Sequence, residues 1–259
     1  MAVRMQLDTT DKITVTNPQT ITDSNPDFSF CCWVRQTSTP NGAWTSSGSN
    51  KGANDLLVFV NGIGWFSNVL WSSSFDETRI TNANLFPDGN DSWTFIAVTF
   101  SKSNNIQFYV GTPTTAPTKP TQSISSTGTG TVTTNSGDLY LGNRGAANAL
   151  SLNWDWARAH WISKELTLAE VQSCWMRDRP LPETEFLFDI GGDNLSTIYD
   201  LSDNKRNGTG TGLAATDHAN IPPLIMSEPL FTFPTQSTFQ PAWAMNSTLT
   251  QGMAGIAHA

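Results

Sequence analysis

Two groups of acidic residues are the first features of this chain that could perform chemistry. Hydrolysis of a glycosidic bond needs two carboxylates, one on each side of the bond that is cut. The nearest candidates are Asp76-Glu77 and Glu183-x-Glu185. The first group stands in a polar stretch and the second follows a proline-rich turn, so we interpret both as solvated loop acids. A tuned acid/base pair is the alternative for either group.

The histidines show no spacing that predicts a metal centre or an activated nucleophile. Both kinds of site need imidazole close to Cys, Asp or Glu. The three histidines, His160, His218 and His258, lie far apart in the sequence, and we place His160 on a strand. We therefore predict no catalytic residue, no metal site and no cofactor, and we predict that the chain is not an enzyme.

The cysteines are odd in number, and two of them are neighbours: Cys31, Cys32 and Cys174. This pattern argues against the disulfide framework of a secreted domain. We expect three free thiols in a chain made in a reducing compartment. We also expect Cys32 to be buried beside Phe30 and Val34.

A calcium site is a further possibility in the segment that contains Asp200, Asp203, Asn204 and Asn207. Hard oxygen ligands within one turn suit calcium, but the spacing is not that of an EF-hand. Asp and Asn side chains also close turns by bonding to nearby backbone. We favour the turn and leave calcium open.

Tryptophan is abundant, with ten residues in the chain. Such rings stack on sugars or fill a core. Trp93 and Trp156 stand in strand-like segments, so we assign them to the core. Trp44, Trp65 and Trp71 stand near loops rich in Gly, Ser and Asn, and they are our candidate glycan platform.

The overall composition excludes several classes of protein. The net charge is −8, and basic residues are scattered, so we predict no nucleic-acid partner. No apolar run is long enough to span a membrane. The first residues contain no apolar core of a signal peptide, so we expect no export by that route.

The residues that could do chemistry stand among segments typical of an antiparallel β protein. Residues 28–35 alternate with period two, and 92–100 and 106–110 read as a hairpin. Further strands are expected near 56–60, where Asn61-Gly62 would close a hairpin, and near 138–142 and 186–190. One short helix is expected at 167–175, because Thr167 and Glu170 form a capping box. Leu168, Val171 and Trp175 would share its buried face.

The order of these motifs resembles the laminin-G-like, concanavalin A-like jelly-roll family over about residues 5–215. The matching segments are FSFCCWVR at 28–35, DSWTFIAVTFSKSNNIQFYVGT at 91–112, DLYLGNRG at 138–145, WDWARAHWISKELTLAEVQSCW at 154–175 and DLSDNKRNGTGTG at 200–212. The resemblance implies an all-β, two-sheet antiparallel jelly-roll sandwich over residues 1–221. Glucanases of this fold place catalytic acids at alternate positions of one strand, and this chain has no Glu-x-Asp-x-Glu run.

Residues 222–259 have no counterpart in that family. They contain no Lys or Arg and a single acid, yet they keep four large aromatic residues, Phe231, Phe233, Phe239 and Trp243. Five prolines preclude a long helix. We interpret this segment as an extended C-terminal arm that anchors the protein during assembly.

A jelly roll with such an arm resembles bacteriophage virion proteins of the capsid-decoration or head-fibre type. The resemblance implies other capsid or tail proteins and further copies of the chain as partners. It also implies a location in the virion after assembly in the host cytoplasm. A carbohydrate-binding module that contacts host-surface glycans is the alternative, and a glucanase-like hydrolase is the third hypothesis.

Overall fold

The computed structural model describes residues 2–5, 11–36, 49–51, 65–70, 75–89, 91–125, 130–142, 154–176, 180–190 and 195–216. Within these ranges the chain is mostly antiparallel β-structure. The strands are β1 (Ala2–Met5), β2 (Lys12–Val15), β3 (Phe28–Gln36), β4 (Ser49–Lys51), β5 (Trp65–Leu70), β6 (Phe75–Ile80), β7 (Trp93–Ser101), β8 (Asn105–Gly111), β9 (Ser123–Ser125), β10 (Leu139–Leu141), β11 (Trp154–Ile162), β12 (Thr184–Asp189), β13 (Thr197–Ile198), β14 (Gly208–Thr211) and β15 (Ala214–Thr216). The helices are α1 (Asn82–Leu85) and α2 (Leu168–Met176).

The strands form a main sheet, a second sheet and a small third sheet. The main sheet has the order β15-β1-β11-β3-β7-β8, and β12 also pairs with β11. The second sheet has the order β13-β14-β2-β10-β4, and the third is β5-β6-β9. The expected antiparallel sandwich is therefore confirmed. The segments predicted as 92–100 and 106–110 form the expected hairpin as β7 and β8.

Strand β3 shows why the main sheet has two buried faces. Phe28, Phe30, Cys32 and Val34 belong to the core between the sheets, which confirms the burial of Cys32. Their neighbours Cys31 and Trp33 lie on the opposite face, in a second apolar cluster beneath α2. Successive side chains of a strand point to opposite faces, so this one strand serves both clusters.

The core between the sheets is built from large apolar side chains. The indole of Trp161 stacks on the ring of Phe28 with centroids 5.1 Å apart. The second sheet contributes Ile13, Val15, Leu139 and Leu141, none of which is exposed. Burying a side chain of this size stabilises a fold by about 1.5–3 kcal/mol. The predicted core residues Trp93 and Trp156 are both buried, Trp156 here and Trp93 in the second cluster.

Strand β11 contains a β-bulge in its pairing with β3. Trp156 is paired with Val34, and Arg158 is paired with Trp33. Ala157 therefore has no partner residue on β3. Trp156 and Trp161 both face the core between the sheets, although they are five positions apart and would lie on opposite faces of a regular strand.

Helix α2 begins as the sequence predicts. The backbone N–H and hydroxyl of Thr167 donate to Glu170 Oε2, and the Glu170 N–H donates to Thr167 Oγ1 at 3.4 Å. The predicted buried face is wrong at one position, since Leu168 is 43% exposed. Leu166, just before the helix, is buried in the second cluster beside Val171 and Cys174. The preceding loop thus supplies the apolar contact expected of Leu168.

Three further expectations need correction or lie beyond the described residues. Asp76 and Glu77 are not in a loop: they lie in strand β6, because full-length pairing with β5 overrides their polar character. Helix α1 was not expected. The hairpin predicted near residues 56–62 lies outside the described ranges. In those ranges, no helix is long and apolar enough to cross a membrane.

Candidate functional site

A polar pocket of about 660 Å³ opens beside the segment that follows Asp200. We call it the rim pocket. Three elements contribute to it: the end of β11, the approach to β12 with its first residues, and the turn after Asp200. The lining residues are Ser163, Pro180, Leu181, Pro182, Glu183, Thr184, Glu185, Ser202, Asp203 and Asn204. The volume lies within the range of small-molecule sites, which is roughly 300–1,000 Å³.

The buried carboxylate of Asp200 organises one wall of the rim pocket. It accepts hydrogen bonds from the backbone N–H groups of Leu187, Ser202 and Arg206 and from the Ser202 hydroxyl, at 2.7–2.9 Å. Asn207 Oδ1 accepts from the Asp200 N–H at 3.0 Å. These contacts are the turn-closing role that the sequence favoured over calcium.

Gly208 ends this turn for a steric reason. A Cβ atom at that position would lie 2.7 Å from the Ile13 side chain, far too close for any other residue. The glycine lets the segment after Asp200 run directly against the core. The turn is therefore a rigid support for the pocket.

Asn204 and Glu185 are fixed within the pocket wall. Asn204 Nδ2 donates to the carbonyls of Thr184 and Glu185 at 2.7 and 3.3 Å. Glu185 accepts from the Ser163 hydroxyl at 2.5 Å and forms an ion pair with Arg206 at 3.5 Å. Glu185 is thus a half-buried residue of β12, and its interpretation as a solvated loop acid is wrong. Strand pairing begins two residues earlier than the proline-rich turn suggested.

Two carboxylates of the pocket remain open to solvent. Glu183 and Asp203 are exposed, and within the described residues neither makes a side-chain hydrogen bond or ion pair. Glu183 also has a φ of 64°, in the left-handed region that non-glycine residues rarely adopt. Its backbone is held there because the Glu183 carbonyl accepts from the Ser163 N–H at 2.9 Å.

An exposed tyrosine precedes the pocket-lining turn. Tyr199 is 60% exposed and Leu201 is 46% exposed, whereas Ile198, Asp200 and Ser202 are buried. Tyr199 is not among the predicted platform residues, which are all tryptophans. The alternation of apolar and polar residues around Asp200 is the signal that could have found it.

The predicted tryptophan platform and the predicted arm remain predictions. Trp65 begins strand β5, but its side chain, together with Trp44 and Trp71, is outside what the structure describes. The arm residues Phe231, Phe233, Phe239 and Trp243 also lie outside the described ranges. Trp93 lines a smaller cleft of about 240 Å³ with Asp88, Asp91 and Thr114. Its indole is only 3% exposed, so it offers no free ring face.

The structure corrects the view that the histidines stand apart from other reactive groups. His160 lies on β11 as predicted, and its Nδ1 is 3.6 Å from Cys174 Sγ. The two residues are 14 positions apart in the sequence, and they meet because α2 folds back over the strand. No periodicity within a strand or a helix could reveal that spacing. In the described part of the chain, no group of three or more His, Cys, Asp or Glu side chains has the arrangement of a metal site.

Comparison with solved structures gives low sequence identities throughout. A "putative carbohydrate binding protein from Bacteroides ovatus" superposes with a TM-score of 0.56 and 15% identity, covering 84% of this chain. The binding domain of botulinum neurotoxin serotype G gives 0.42, 14% and 66%, and a Trypanosoma rangeli sialidase gives 0.38, 12% and 59%. This chain spans 61%, 37% and 23% of the three proteins, respectively. Of these, the Bacteroides protein superposes best, and at that identity the likeness concerns the fold.

A search among curated proteins gave no match to this sequence. The family model described as the concanavalin A-like lectin/glucanases superfamily does match, over residues 7–172. The match covers more than half of the chain and includes β2 to β11, which supply most residues of the two buried clusters. The sequence match, together with the two-sheet antiparallel architecture, shows that the chain belongs to the concanavalin A-like lectin/glucanases superfamily.

Proposed function

We propose that this chain is a lectin-like domain that binds carbohydrate and does not cleave it. The observation that carries the proposal is the rim pocket, where the open carboxylates of Glu183 and Asp203 stand beside a fixed wall. Carboxylates accept hydrogen bonds from sugar hydroxyls. Leu181 and Pro182 supply an apolar wall for the C–H face of a sugar ring. A few placed polar groups within an apolar frame are typical of small-molecule sites.

The state of the two neighbouring glutamates supports the proposed absence of cleavage. A glycoside hydrolase needs two carboxylates free to act on opposite sides of one bond. Of this neighbouring pair, Glu185 is held by Ser163 and Arg206 and only Glu183 is open. The other open carboxylate of the pocket, Asp203, stands on a separate turn and not at an alternate position of the same strand. We therefore propose binding without turnover. Glucanases belong to the same family, so hydrolysis needs a direct test.

A glycan array probed with the full chain tests the binding proposal. We expect retention on a subset of glycans, lost or weakened at least tenfold in a Glu183→Gln, Asp203→Asn double variant. Asp189→Asn is the matched control, since Asp189 is an exposed acid of β12 outside the pocket. Equal binding by the double variant and the control would exclude the rim pocket.

Two further variants test whether aromatic side chains contribute to glycan binding, and a separate assay tests for glycan hydrolysis. Tyr199→Ala should weaken binding if its ring stacks on the sugar, and Trp65→Ala tests the predicted tryptophan platform in the same assay. Incubation with polymeric β-glucans tests hydrolysis by release of reducing ends. Release that disappears in Glu183→Gln would overturn the non-enzymatic proposal.

A second proposal concerns where the domain acts, and the composition of residues 222–259 supports it. An uncharged segment with four large aromatic residues is poorly suited to a solvated tail, because such tails are normally polar and charged. We propose that it anchors the domain, as a decoration or head-fibre protein, to capsid or tail proteins or to further copies of the chain. Assembly would take place in the host cytoplasm and the product would be the virion.

Truncation at Pro222 tests this anchor. We expect the shortened chain to fold, by circular dichroism, and to lose self-association in sedimentation or attachment to purified particles. Failure to fold would make residues 222–259 part of the core. Unchanged assembly would remove the arm from any anchoring role.

A further inference from the structure

Two of the three cysteines and one histidine meet where helix α2 packs on the main sheet. Cys31 on β3 and His160 on β11 are directly opposed in the strand pairing. Cys174 lies in the helix above them, in the second cluster. Their exposed fractions are 1%, 4% and 6%, respectively, for Cys31, His160 and Cys174. Cys32 is the neighbour of Cys31 but belongs to the core on the other face of the sheet.

The hydrogen bonds in this cluster converge on the Cys174 sulfur. Thr184 Oγ1 and His160 Nε2 are 2.7 Å apart, so the hydroxyl can donate to this ring nitrogen. In that tautomer the proton is on His160 Nδ1, which donates to Cys174 Sγ at 3.6 Å. Cys31 belongs to the same cluster, and its thiol is placed to donate to Cys174 as well. Two donors aimed at one sulfur stabilise its thiolate form.

The three thiols differ in their pKa values. The hydrogen bond from Cys31, followed by that from His160, lowers the pKa of Cys174 to about 6 against the opposing effect of burial. Burial, reinforced by the bond to Cys174, raises the pKa of Cys31. Burial alone raises the pKa of Cys32. At neutral pH the thiolate is therefore concentrated on one sulfur, and the thiolate is the nucleophilic form.

We propose that Cys174 and Cys31 form a hydroperoxide-reactive thiol pair, in which Cys174 is the attacking sulfur and Cys31 the resolving one. The Cys174 thiolate attacks one oxygen of hydrogen peroxide, the O–O bond breaks, and the leaving hydroxide takes a proton to become water. The product is a sulfenic acid on Cys174. The Cys31 thiol then attacks that sulfur, and a second water leaves as the Cys31–Cys174 disulfide forms. In total, two thiols and one peroxide give one disulfide and two waters.

The burial of the pair selects for a small oxidant. Cys174 is almost covered, so a bulky disulfide would require α2 to move away from the sheet. Hydrogen peroxide is compact and uncharged, and local opening of a nine-residue helix suffices for its entry. The resulting disulfide would tie α2 to β3 across a long loop and stabilise the fold against unfolding.

Mass spectrometry of the full chain treated with hydrogen peroxide tests the pair without any substitution. After the reaction the protein is quenched, unfolded and alkylated. We expect the intact mass of a single disulfide, a linked peptide containing Cys31 and Cys174, and full alkylation of Cys32. Oxidation of Cys32 at the same rate, or alkylation of all three thiols after prolonged treatment, would overturn the proposal.

Variants then separate the attacking sulfur from the resolving one. Cys31→Ser should stop at a sulfenic acid on Cys174, trapped with dimedone after unfolding. Cys32→Ala is the matched control and should still form the disulfide. His160→Asn should slow oxidation at pH 7 on the order of tenfold and shift the midpoint of its pH profile upward, because a donor to Cys174 is lost. A pH profile unchanged in His160→Asn, in protein that circular dichroism shows to be folded, would remove its positioning role.

Discussion

The two faces of strand β3 bury different kinds of side chain, although both faces are formed by neighbouring residues of one strand. The inner face packs Phe28, Phe30, Cys32 and Val34 against other apolar side chains. The outer face makes directional contacts instead. The Ser29 hydroxyl donates to the Lys164 carbonyl and accepts from the Leu166 N–H, at 2.8 and 3.0 Å, and these contacts position the approach to α2.

The outer face also holds the charged and reactive groups of this strand. Arg35 Nε and a second guanidinium nitrogen lie 2.8 and 2.7 Å from Asp155 Oδ2, and the Asp155 side chain is fully buried. The Cys31 thiol lies on the same face, in the cluster that contains Cys174. The inner face therefore supplies stability through shape, whereas the outer face fixes the helix and places groups that can react.

Truncation on the inner face should have the largest effect on stability. Phe30 is fully buried and its ring contacts those of Trp156 and Trp161. Phe30→Ala should lower the free energy of unfolding by about 3–5 kcal/mol, from lost burial and a residual cavity. Urea denaturation followed by circular dichroism measures this loss. Tyr199→Ala is an exposed control that should change stability by no more than about 0.5 kcal/mol, and a Phe30→Ala loss as small as that would contradict the comparison.

Breaking the ion pair of the outer face should come next. Asp155→Ala leaves Arg35 without its carboxylate, and because the Arg35 side chain is 15% exposed it can recover some hydration. We expect a loss of about 2–3 kcal/mol by the same assay. The Arg35→Met, Asp155→Ala double variant should recover part of this loss. Additive losses would mean that the two residues act independently.

A matched pair of serine substitutions sharpens the comparison at adjacent positions. Cys32→Ser places a hydroxyl among apolar side chains and should cost about 2 kcal/mol. Cys31→Ser should cost less than about 1 kcal/mol, because the new hydroxyl can still donate to Cys174. Chemical denaturation of both variants, under reducing conditions, gives the difference. Equal costs would show that the two faces tolerate a hydroxyl alike.

Loss of the helix cap should have a smaller effect. Thr167→Ala removes the hydroxyl that bonds to the Glu170 N–H and should cost about 1 kcal/mol. Thr167→Ser keeps that hydroxyl and is the control. Hydrogen exchange of α2 amides, measured by mass spectrometry, should show faster exchange in the alanine variant alone.

The smallest expected effect depends on pH. The hydrogen bond from Lys164 holds the pKa of Glu170 below its usual value, and the bonds from Thr167 add to this. A lowered folded-state pKa means that the stabilisation is present above about pH 4.5 and is lost as the pH falls through the lowered pKa. Glu170→Gln should therefore be less stable than the native chain by a few tenths of a kcal/mol at pH 7. The gap should narrow in thermal melts as the pH falls below about 4.5, the usual value for glutamate, and a constant gap would exclude the charge as its origin.

Local patterns in the sequence predicted several of the elements, among them β3, β7, β8 and α2, but not the site. The period-two alternation along residues 28–35 predicts which side chains share each face of β3. Both faces are buried in the structure. The capping box predicts where α2 begins, since Thr167 and Glu170 are three residues apart. The same local reasoning placed Asp76 and Glu77 in a loop, because it had no knowledge of the β5 partner.

Contacts between distant segments account for what the sequence could not predict. The approach of Cys174 to His160 depends on how α2 lies across the sheet. The rim pocket depends on the Asp200 carboxylate reaching the Leu187 N–H of another strand. Both arise from tertiary packing. The residue types were visible in advance, and their juxtaposition was not.

The bulge at Ala157 divides strand β11 into two segments with opposite side-chain alternation. Before it, even-numbered residues such as Trp156 face the core between the sheets, and after it odd-numbered residues such as Trp161 do so. Deleting Ala157 would remove the bulge: Trp156 would still oppose Val34, Arg158 would still oppose Trp33, and the other side chains of the strand would keep their faces. The pairing of β11 with β3 should therefore tolerate the loss of this one residue. A single-residue deletion nearer either end of the strand has no such compensation, because it turns the side chains beyond it to the opposite face of the sheet.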